Sequence, residues 1–433
     1  MYNLLKALLI LLFFQGVFSI VGIPSTLYKS AIDLIIYIIF AIALMKNNNN
    51  FNIPYRSVHV IFIGFSVVVF LSTVFNASSI FKSFSFYRNT LNGYLFFLAI
   101  SNIRLRKDEV KKLTQLLFIL VAIQPIASVM KYLTVGVSED YIGTFSLSGG
   151  AYSTMVPLTF ISVLYALFLY KRKKIYLALI LGYVFMAFVG DKRAFWFILP
   201  VVLFGIHLLY QFNYSNRKVT SILKSMIILV LSGPLLVYLG GRALPSLNPD
   251  YKFWGRFDLQ HIMDYATSYN TGSRFDDIDY GVGRVGGGEA MIASFKTKSL
   301  KTNLIGDGPD IFVDRSNDDD ITYRYGVYLM SHFTGIMVYL PSIGYVGAFF
   351  LLFYYLSMLF LARRRLKIEK RKKSIQGVLW LAIIVVTLLI AYDYLLYTKT
   401  FVHSNIMNVL YFLLLGSLVN KKKCFFHEST FRK

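Results

Sequence analysis

Apolar residues fill this chain in long, nearly unbroken stretches separated by short charged connectors, and one polar segment interrupts the pattern. A helix that crosses a bilayer core of about 30 Å needs roughly 17–25 mostly apolar residues. Twelve runs approach that length, near 4–23, 28–45, 57–75, 91–103, 113–135, 151–170, 175–190, 194–211, 219–240, 331–361, 375–391 and 401–419, two of them short. The pattern predicts an all-α polytopic membrane protein with about twelve transmembrane helices and one large outer (periplasmic) loop domain. Residues 1–240 would carry helices one to nine, 241–330 the loop domain, and 331–433 the last three helices and a tail.

Composition supports the membrane assignment. With 56% hydrophobic and 15% charged residues, no soluble globule of this size could cover its surface with polar groups. Charge then sets an orientation. The segment from Gly241 to Met330 holds thirteen of the twenty-two acidic residues and only ten of the forty-five basic ones. Everything else carries thirty-five basic and nine acidic residues, so the net charge of +23 comes from the connectors. Basic clusters occupy every second one: Lys46 and Arg56; Arg104 to Lys112; Lys171 to Lys174; Arg217, Lys218 and Lys224; Arg363 to Lys373; and Lys421 to Lys423. The positive-inside rule places these clusters and both termini in the cytoplasm and the polar insert outside. A nucleic-acid partner is excluded, because the cations sit in separate short loops and not on one surface.

Residues 1–23 read as the first helix and not as a cleaved leader, since no small-residue cleavage site follows. The lone Cys424 excludes an intramolecular disulfide and a cysteine-based metal site. Pro125, Pro200, Pro234 and Pro341 fall inside spans, where each removes a backbone hydrogen bond. Kinked helices suit a bundle that encloses a cavity, and they equally suit plain packing.

Outside the cytoplasmic membrane there is no nucleotide-activated donor, so a synthetic enzyme there needs a substrate carrying its own leaving group. A lipid-linked diphosphate is the obvious one. Arginine suits its recognition, because the planar guanidinium makes paired hydrogen bonds to phosphate oxygens. Two adjacent cations occur against the positive-inside trend in Gly190-Asp191-Lys192-Arg193, which also fits a snorkelling pair balanced by Asp191. Arg274 and Arg284 lie in the insert, Arg284 within the glycine-rich stretch Gly281 to Gly288. That stretch reads either as an anion-binding nest or as a flexible loop. It lacks the Gly-Lys-Ser/Thr of a nucleotide P-loop. His332, where the insert re-enters the membrane, is suited to accept a proton from a hydroxyl nucleophile. His403, before the last span, has the same chemistry, and either histidine also fits a packing role.

The ordered set of these features resembles the bacterial O-antigen polymerase and O-antigen ligase superfamily. Gly143-Thr144-Phe145 through Ala151-Tyr152 resembles its small-residue outer turn. Gly190-Asp191-Lys192-Arg193-Ala194-Phe195-Trp196 resembles its Ser-Arg-Gly-like turn before a span. Gly283-Arg284 with Ala290, followed by Asn303-Leu304-Ile305-Gly306-Asp307-Gly308, is similar to its Gly-Arg, apolar helix and Gly-x-Gly pattern. Ser331-His332 with Gly344-Tyr345-Val346-Gly347 resembles its His-Asn and Gly-x-x-Gly run, with Phe333 in place of the Asn.

The resemblance implies metal-independent, inverting glycosyl transfer on undecaprenyl diphosphate-linked glycans, without a cofactor. Arg193 and Arg284 would clamp the diphosphate, Lys192 or Arg274 would assist, and His332 would take the acceptor proton, with His403 as a lesser candidate for substrate contact. Trp254, Tyr265, Tyr269 and Tyr280 are available as stacking surfaces for the glycan, or as the loop's own core. Besides the lipid-linked glycan and the bilayer, chain-length regulator and flippase proteins are the partners implied. The ligase branch of the superfamily is the alternative.

Two rival chemistries remain open on the sequence. Asp277-Ile278-Asp279 and Asp318-Asp319-Asp320 have oxygen ligands suited to a divalent cation. A flippase or other transporter would also have about twelve spans, with ionisable groups inside them, and Asp33 and His207 are among the few titratable residues near a span interior.

Overall fold

The computed structural model describes residues 1–47, 51, 53–137, 143–145, 150–214, 219–271, 283–311, 325, 333–370 and 373–420. Every regular element among them is helical. The first part of the chain forms α1 (Tyr2–Phe13), α2 (Gln15–Ile20), α3 (Ser25–Asn47), α4 (Arg56–Phe75), α5 (Ile80–Asn102) and α6 (Lys107–Val135). Next come α7 (Tyr152–Lys171), α8 (Lys174–Val189), α9 (Arg193–Tyr214) and α10 (Val219–Ala243). Three shorter helices follow, α11 (Leu259–Thr271), α12 (Arg284–Phe295) and α13 (Leu300–Ile305). The chain then closes with α14 (Gly335–Lys370), α15 (Ile375–Tyr392), a π-helical turn Asp393–Tyr397, α16 (Thr400–His403) and α17 (Asn405–Val419).

Seven of these, α3, α4, α6, α7, α9, α14 and α15 with its π-turn, are long and apolar enough to cross a membrane. The apolar helices α1, α8 and α17 are shorter. Surface chemistry agrees with a lipid environment. On α4, Val60, Ile63, Val67, Phe70 and Val74 are exposed at helical spacing, while Phe62, Phe65, Val69 and Ser72 on the other face are buried. Water would penalise such a two-sided apolar helix, whereas lipid tails accept it. The chain is a membrane protein.

In lipid every backbone polar group needs a partner within the protein, and three irregularities show how this chain supplies one. The run 4–23 is not one helix but breaks at Phe14 between α1 and α2. Thr144 enters the break: its hydroxyl donates to the Phe13 carbonyl at 2.5 Å, and its own carbonyl accepts from the Gly16 N–H at 2.9 Å. Gln124 of α6 holds Thr144 in place by accepting from its N–H at 2.8 Å, and Phe145 packs against Phe13. The Gly143-Thr144-Phe145 motif is thus a plug. One residue beyond Gln124, Pro125 has no N–H for the Val121 carbonyl, and the Tyr183 hydroxyl of α8 donates to that oxygen instead, at 2.8 Å.

The third irregularity is in α14, where the expected single run 331–361 bends at Gly344, whose φ of 66° and ψ of −177° are non-helical. The bend leaves the Pro341 and Ser342 carbonyls to accept from Asp307 N–H at 2.8 Å and Gly308 N–H at 3.2 Å. Ser72 of α4 adds a hydroxyl to Ser342 at 2.9 Å. A Cβ at Gly306 or Gly344 would lie 2.4–2.6 Å from backbone atoms across this joint. The Gly-x-Gly and Gly-x-x-Gly motifs are therefore two halves of one backbone-to-backbone contact that docks α13 on the kink.

A further difference from the sequence pattern concerns the run 91–103, which extends back to Ile80 as α5 and takes Arg88 into the helix. There Arg88 Nε lies 3.4 Å from Asp33 Oδ2. Asp33 also accepts from Asn92 at 2.6 Å and Asn405 at 3.4 Å, so α3, α5 and α17 meet on one buried carboxylate.

Candidate functional site

The Gly190–Arg193 segment forms the tight turn expected between α8 and α9. Asp191 takes a left-handed φ of 47°, and its N–H donates back to Phe188 at 2.9 Å. The Asp191 carboxylate accepts from Ser246 Oγ at 2.7 Å, fastening the turn to the segment that follows α10. Gly190 packs closely on the start of α7: a Cβ there would lie 3.0 Å from the Ser153 side chain, which would have to give way. Lys192 is only 6% exposed, so it is not the snorkelling surface cation of the simpler reading. The Arg193 guanidinium lies over the Tyr265 ring of α11 at 4.3 Å from its centroid, a cation–π contact.

Arg284 comes from a different element. It is the first residue of α12, with Gly283 as N-cap, and its guanidinium lies 4.8 Å from the centroid of Tyr397 in the π-helical turn. The Tyr397 ring also stacks on Tyr392, and its hydroxyl is 2.9 Å from Thr154 Oγ1 of α7. Asp393, at the head of the turn, is fully buried. One of its oxygens accepts from Thr398 Oγ1 at 2.5 Å and the other from the Phe401 N–H at 2.8 Å, and Arg284 is near enough to act on it electrostatically. The Thr398 carbonyl accepts from the Gly335 N–H at 3.0 Å, so the start of α14 joins the same cluster.

The two arginines are parts of one ring of contacts. From Arg193 it runs through Tyr265 and α11 to the adjoining α12 and Arg284, then through Tyr397 to Thr154, and from neighbouring Ser153 back to Gly190. No family model matches the chain, and no curated protein matches it. The resemblance to the polymerase and ligase superfamily accordingly rests on the ordered motifs themselves, two of which, at Arg193 and Arg284, are links in this one series of contacts.

Arg274, Ser331 and His332 lie outside the described residues, as do Asp277, Asp279, Tyr280 and Asp318 to Asp320. His403 ends α16, one turn after Thr400, and its side chain and that of Tyr269 are likewise outside them. The glycines after Arg284 form neither a nest nor a loop, because Gly286 to Gly288 are helical within α12. Burial of Gly287, Met291 and Phe295 along one side outweighs the poor helix propensity of the three glycines. Asp393 and Tyr397 are the site residues that sequence reasoning missed. An aspartate closing the apolar run 375–391 was the signal available for them.

Proposed function

We propose that this protein polymerises undecaprenyl diphosphate-linked oligosaccharide repeat units into a surface polysaccharide at the outer face of the cytoplasmic membrane. In this reading the chain has about twelve spans and cytoplasmic termini, and the segment 241–330 lies in the periplasm. The observation that carries it is that Arg193 and Arg284, from separate elements and each held over a tyrosine ring, are links in one closed series of contacts.

The chemistry follows from those residues. An acceptor hydroxyl oxygen attacks C1 of the donor sugar, and the bond from C1 to the diphosphate oxygen breaks with inversion. The electron pair leaves on undecaprenyl diphosphate, and the hydroxyl proton passes to His332. Arg193 and Arg284 stabilise the charge that grows on the leaving group, and fixed guanidinium groups do so more in the transition state than in the ground state. The rings of Tyr265 and Tyr397 under the two guanidiniums limit their rotation and so pre-set their forks. Lys192 and Arg274 add positive potential.

The test is polymer formation in vitro from purified protein and lipid-linked repeat units, with a chelator present. Polymer should form with chelator and vanish in Arg284→Ala and His332→Ala. Activity that needs a divalent cation and dies with Asp277→Asn instead would sink the arginine mechanism. Transfer of preformed chains to a different acceptor, with no lengthening on the carrier, would move the assignment to the ligase branch.

A further inference from the structure

After α10 the chain makes a loop whose shape is fixed from within. Asn248 is fully buried, and its amide nitrogen lies 2.7, 2.8 and 3.2 Å from the carbonyls of Leu244, Lys252 and Arg242. Gly255 and Arg242 exchange two bonds, Gly255 N–H to the Arg242 carbonyl at 2.9 Å and Arg242 Nε to the Gly255 carbonyl at 3.0 Å. Asp250 accepts from the Arg256 N–H at 2.7 Å. Within this frame Tyr251 and Trp254 are held at φ of 49° and 59°, a region bulky side chains rarely enter.

The loop encloses an open concavity of about 600 Å³, whose wall includes Arg242, Asp250, Lys252, Arg256, Tyr238 and Trp254. Three cations face it against one carboxylate. Arg242 lies over the indole of Trp254 at 4.8 Å, yet Trp254 is still 46% exposed. An exposed indole beside positive charge offers an apolar face for the C–H side of a sugar ring and donors for a carboxylate on that ring. Asp250 can accept from sugar hydroxyls. The concavity is next to the arginine ring, because Ser246, just before the loop, is bonded to Asp191 of the Lys192–Arg193 turn.

We propose that this concavity is a binding subsite for an acidic saccharide, a sugar bearing a carboxylate, and that the repeat unit carried to the arginine ring contains such a sugar. The second half rests on the polymerase reading. Anionic lipid headgroups share the negative charge, but a lipid also needs a slot for its chains, and the wall of this concavity is mainly polar.

The experiment uses the full chain in nanodiscs of phosphatidylcholine. The probes are a tetrasaccharide of alternating glucuronic acid and N-acetylglucosamine and a neutral tetrasaccharide of N-acetylglucosamine, with affinity read by equilibrium dialysis. Tryptophan emission gives a second readout, because Trp196 and Trp380 are buried and Trp254 is the exposed indole of the three in the chain.

The acidic probe should bind about tenfold or more tightly than the neutral one and shift the emission, in line with loss of a charge-assisted bond. Arg242→Gln and Trp254→Ala should each cost about tenfold. Lys252→Gln removes an exposed charge that lies 3.9 Å from Asp250, leaves the loop's backbone bonds in place, and should cost about threefold even if the other two variants fail to fold. Arg284→Ala should leave the affinity within about twofold, because Arg284 is not part of the concavity's wall.

Equal affinity for both probes, or no response to Lys252→Gln and Arg242→Gln, would overturn the subsite. So would loss of binding in Arg284→Ala, which would put the sugar at the arginine ring. An emission shift on adding phosphatidylglycerol, with none on adding the sugar, would make the loop a membrane anchor instead. Acidic-probe binding by a protein that makes no polymer would refute the polymerase reading and leave the subsite standing, whereas polymer formation without acidic preference would refute the subsite alone.

Discussion

Asp33 and Asp393 are both buried aspartates with an arginine close by, yet their surroundings differ in kind. Asp33 is met by Arg88 at 3.4 Å and by two asparagine amides, partners drawn from two other helices. Asp393 takes its hydrogen bonds from its own neighbourhood, the Thr398 hydroxyl and the Phe401 N–H, while Arg284 approaches from α12 and lies over Tyr397. In the first case the arginine is consumed in joining helices. In the second, local groups bond the carboxylate, and the guanidinium is presented on an aromatic ring. A buried pair whose members bond each other reads as structure, and a buried carboxylate that merely sets the field around an arginine reads as a site. The same contrast weakens a transporter reading, because Asp33 is engaged on both oxygens and is not poised along a pathway.

The largest effect should come from breaking the first cluster. Asp33→Ala leaves Arg88, whose side chain is 28% exposed, and two asparagine amides without their carboxylate, and the loss should approach the about 3–5 kcal/mol of breaking a fully buried pair. Thermal unfolding in detergent should show a marked loss of stability, and any folded fraction should retain polymer formation per molecule. Stability that is unchanged while activity disappears would reverse the assignment of the two clusters. Next comes Arg284. Arg284→Ala should lower the rate by about 3 kcal/mol, roughly a hundredfold or more, with little change in unfolding temperature. Arg284→Lys keeps the charge but loses the fork and the stacking, so it should be nearly as damaging. Arg193→Ala should resemble it, and the double variant should be scarcely worse than either single one, because in the proposed mechanism the two serve one displacement.

Smaller effects grade the first cluster. Asn92→Leu removes the 2.6 Å bond to Asp33 and leaves Arg88 in place. A hydrogen bond to a charged group contributes about 1.5–3 kcal/mol, so the loss of stability should fall below that of Asp33→Ala. Asn405→Leu, from a 3.4 Å contact, should cost less again. If Asn92→Leu matches Asp33→Ala, the ion pair contributes nothing beyond the amide.

How far the sequence revealed these clusters depended on where each signal lay. The Lys192–Arg193 turn was legible because two cations stood in an otherwise apolar setting, and Arg284 because it stood among glycines. Arg88 was hidden, since Lys82, Asn89 and Asn92 make the front of α5 look like a connector until α3 and α17 supply their partners. Nothing local marks the break at Phe14, which is filled by Thr144, far along the chain. The glycines of the Gly306 and Gly344 motifs stood out, but their purpose did not, because the contact that forbids a Cβ is between two distant backbones. Asp393 did have a signal in its position at the end of an apolar run. Its role depends on the π-helical turn that it opens, after which the Thr398 hydroxyl and the Phe401 N–H return to bond the carboxylate.

The smallest prediction separates the two uses of Tyr397. Its hydroxyl ties α7 to the π-helical turn through Thr154 at 2.9 Å, and its ring lies under Arg284. Tyr397→Phe deletes the first and keeps the second, and a neutral hydrogen bond contributes about 0.5–1.5 kcal/mol. It should therefore lower the unfolding temperature slightly and leave polymer formation within a few-fold of the parent. Tyr397→Leu deletes both, and the lost cation–π contact, about 0.5–2 kcal/mol, should appear mainly as a slower rate at saturating substrate. The comparison is between the two variants, measured by polymer formation and by unfolding on the same preparations. If Phe and Leu prove equally slow, the hydroxyl and not the ring positions Arg284, and the ring of contacts at this end of the bundle closes through Thr154 alone.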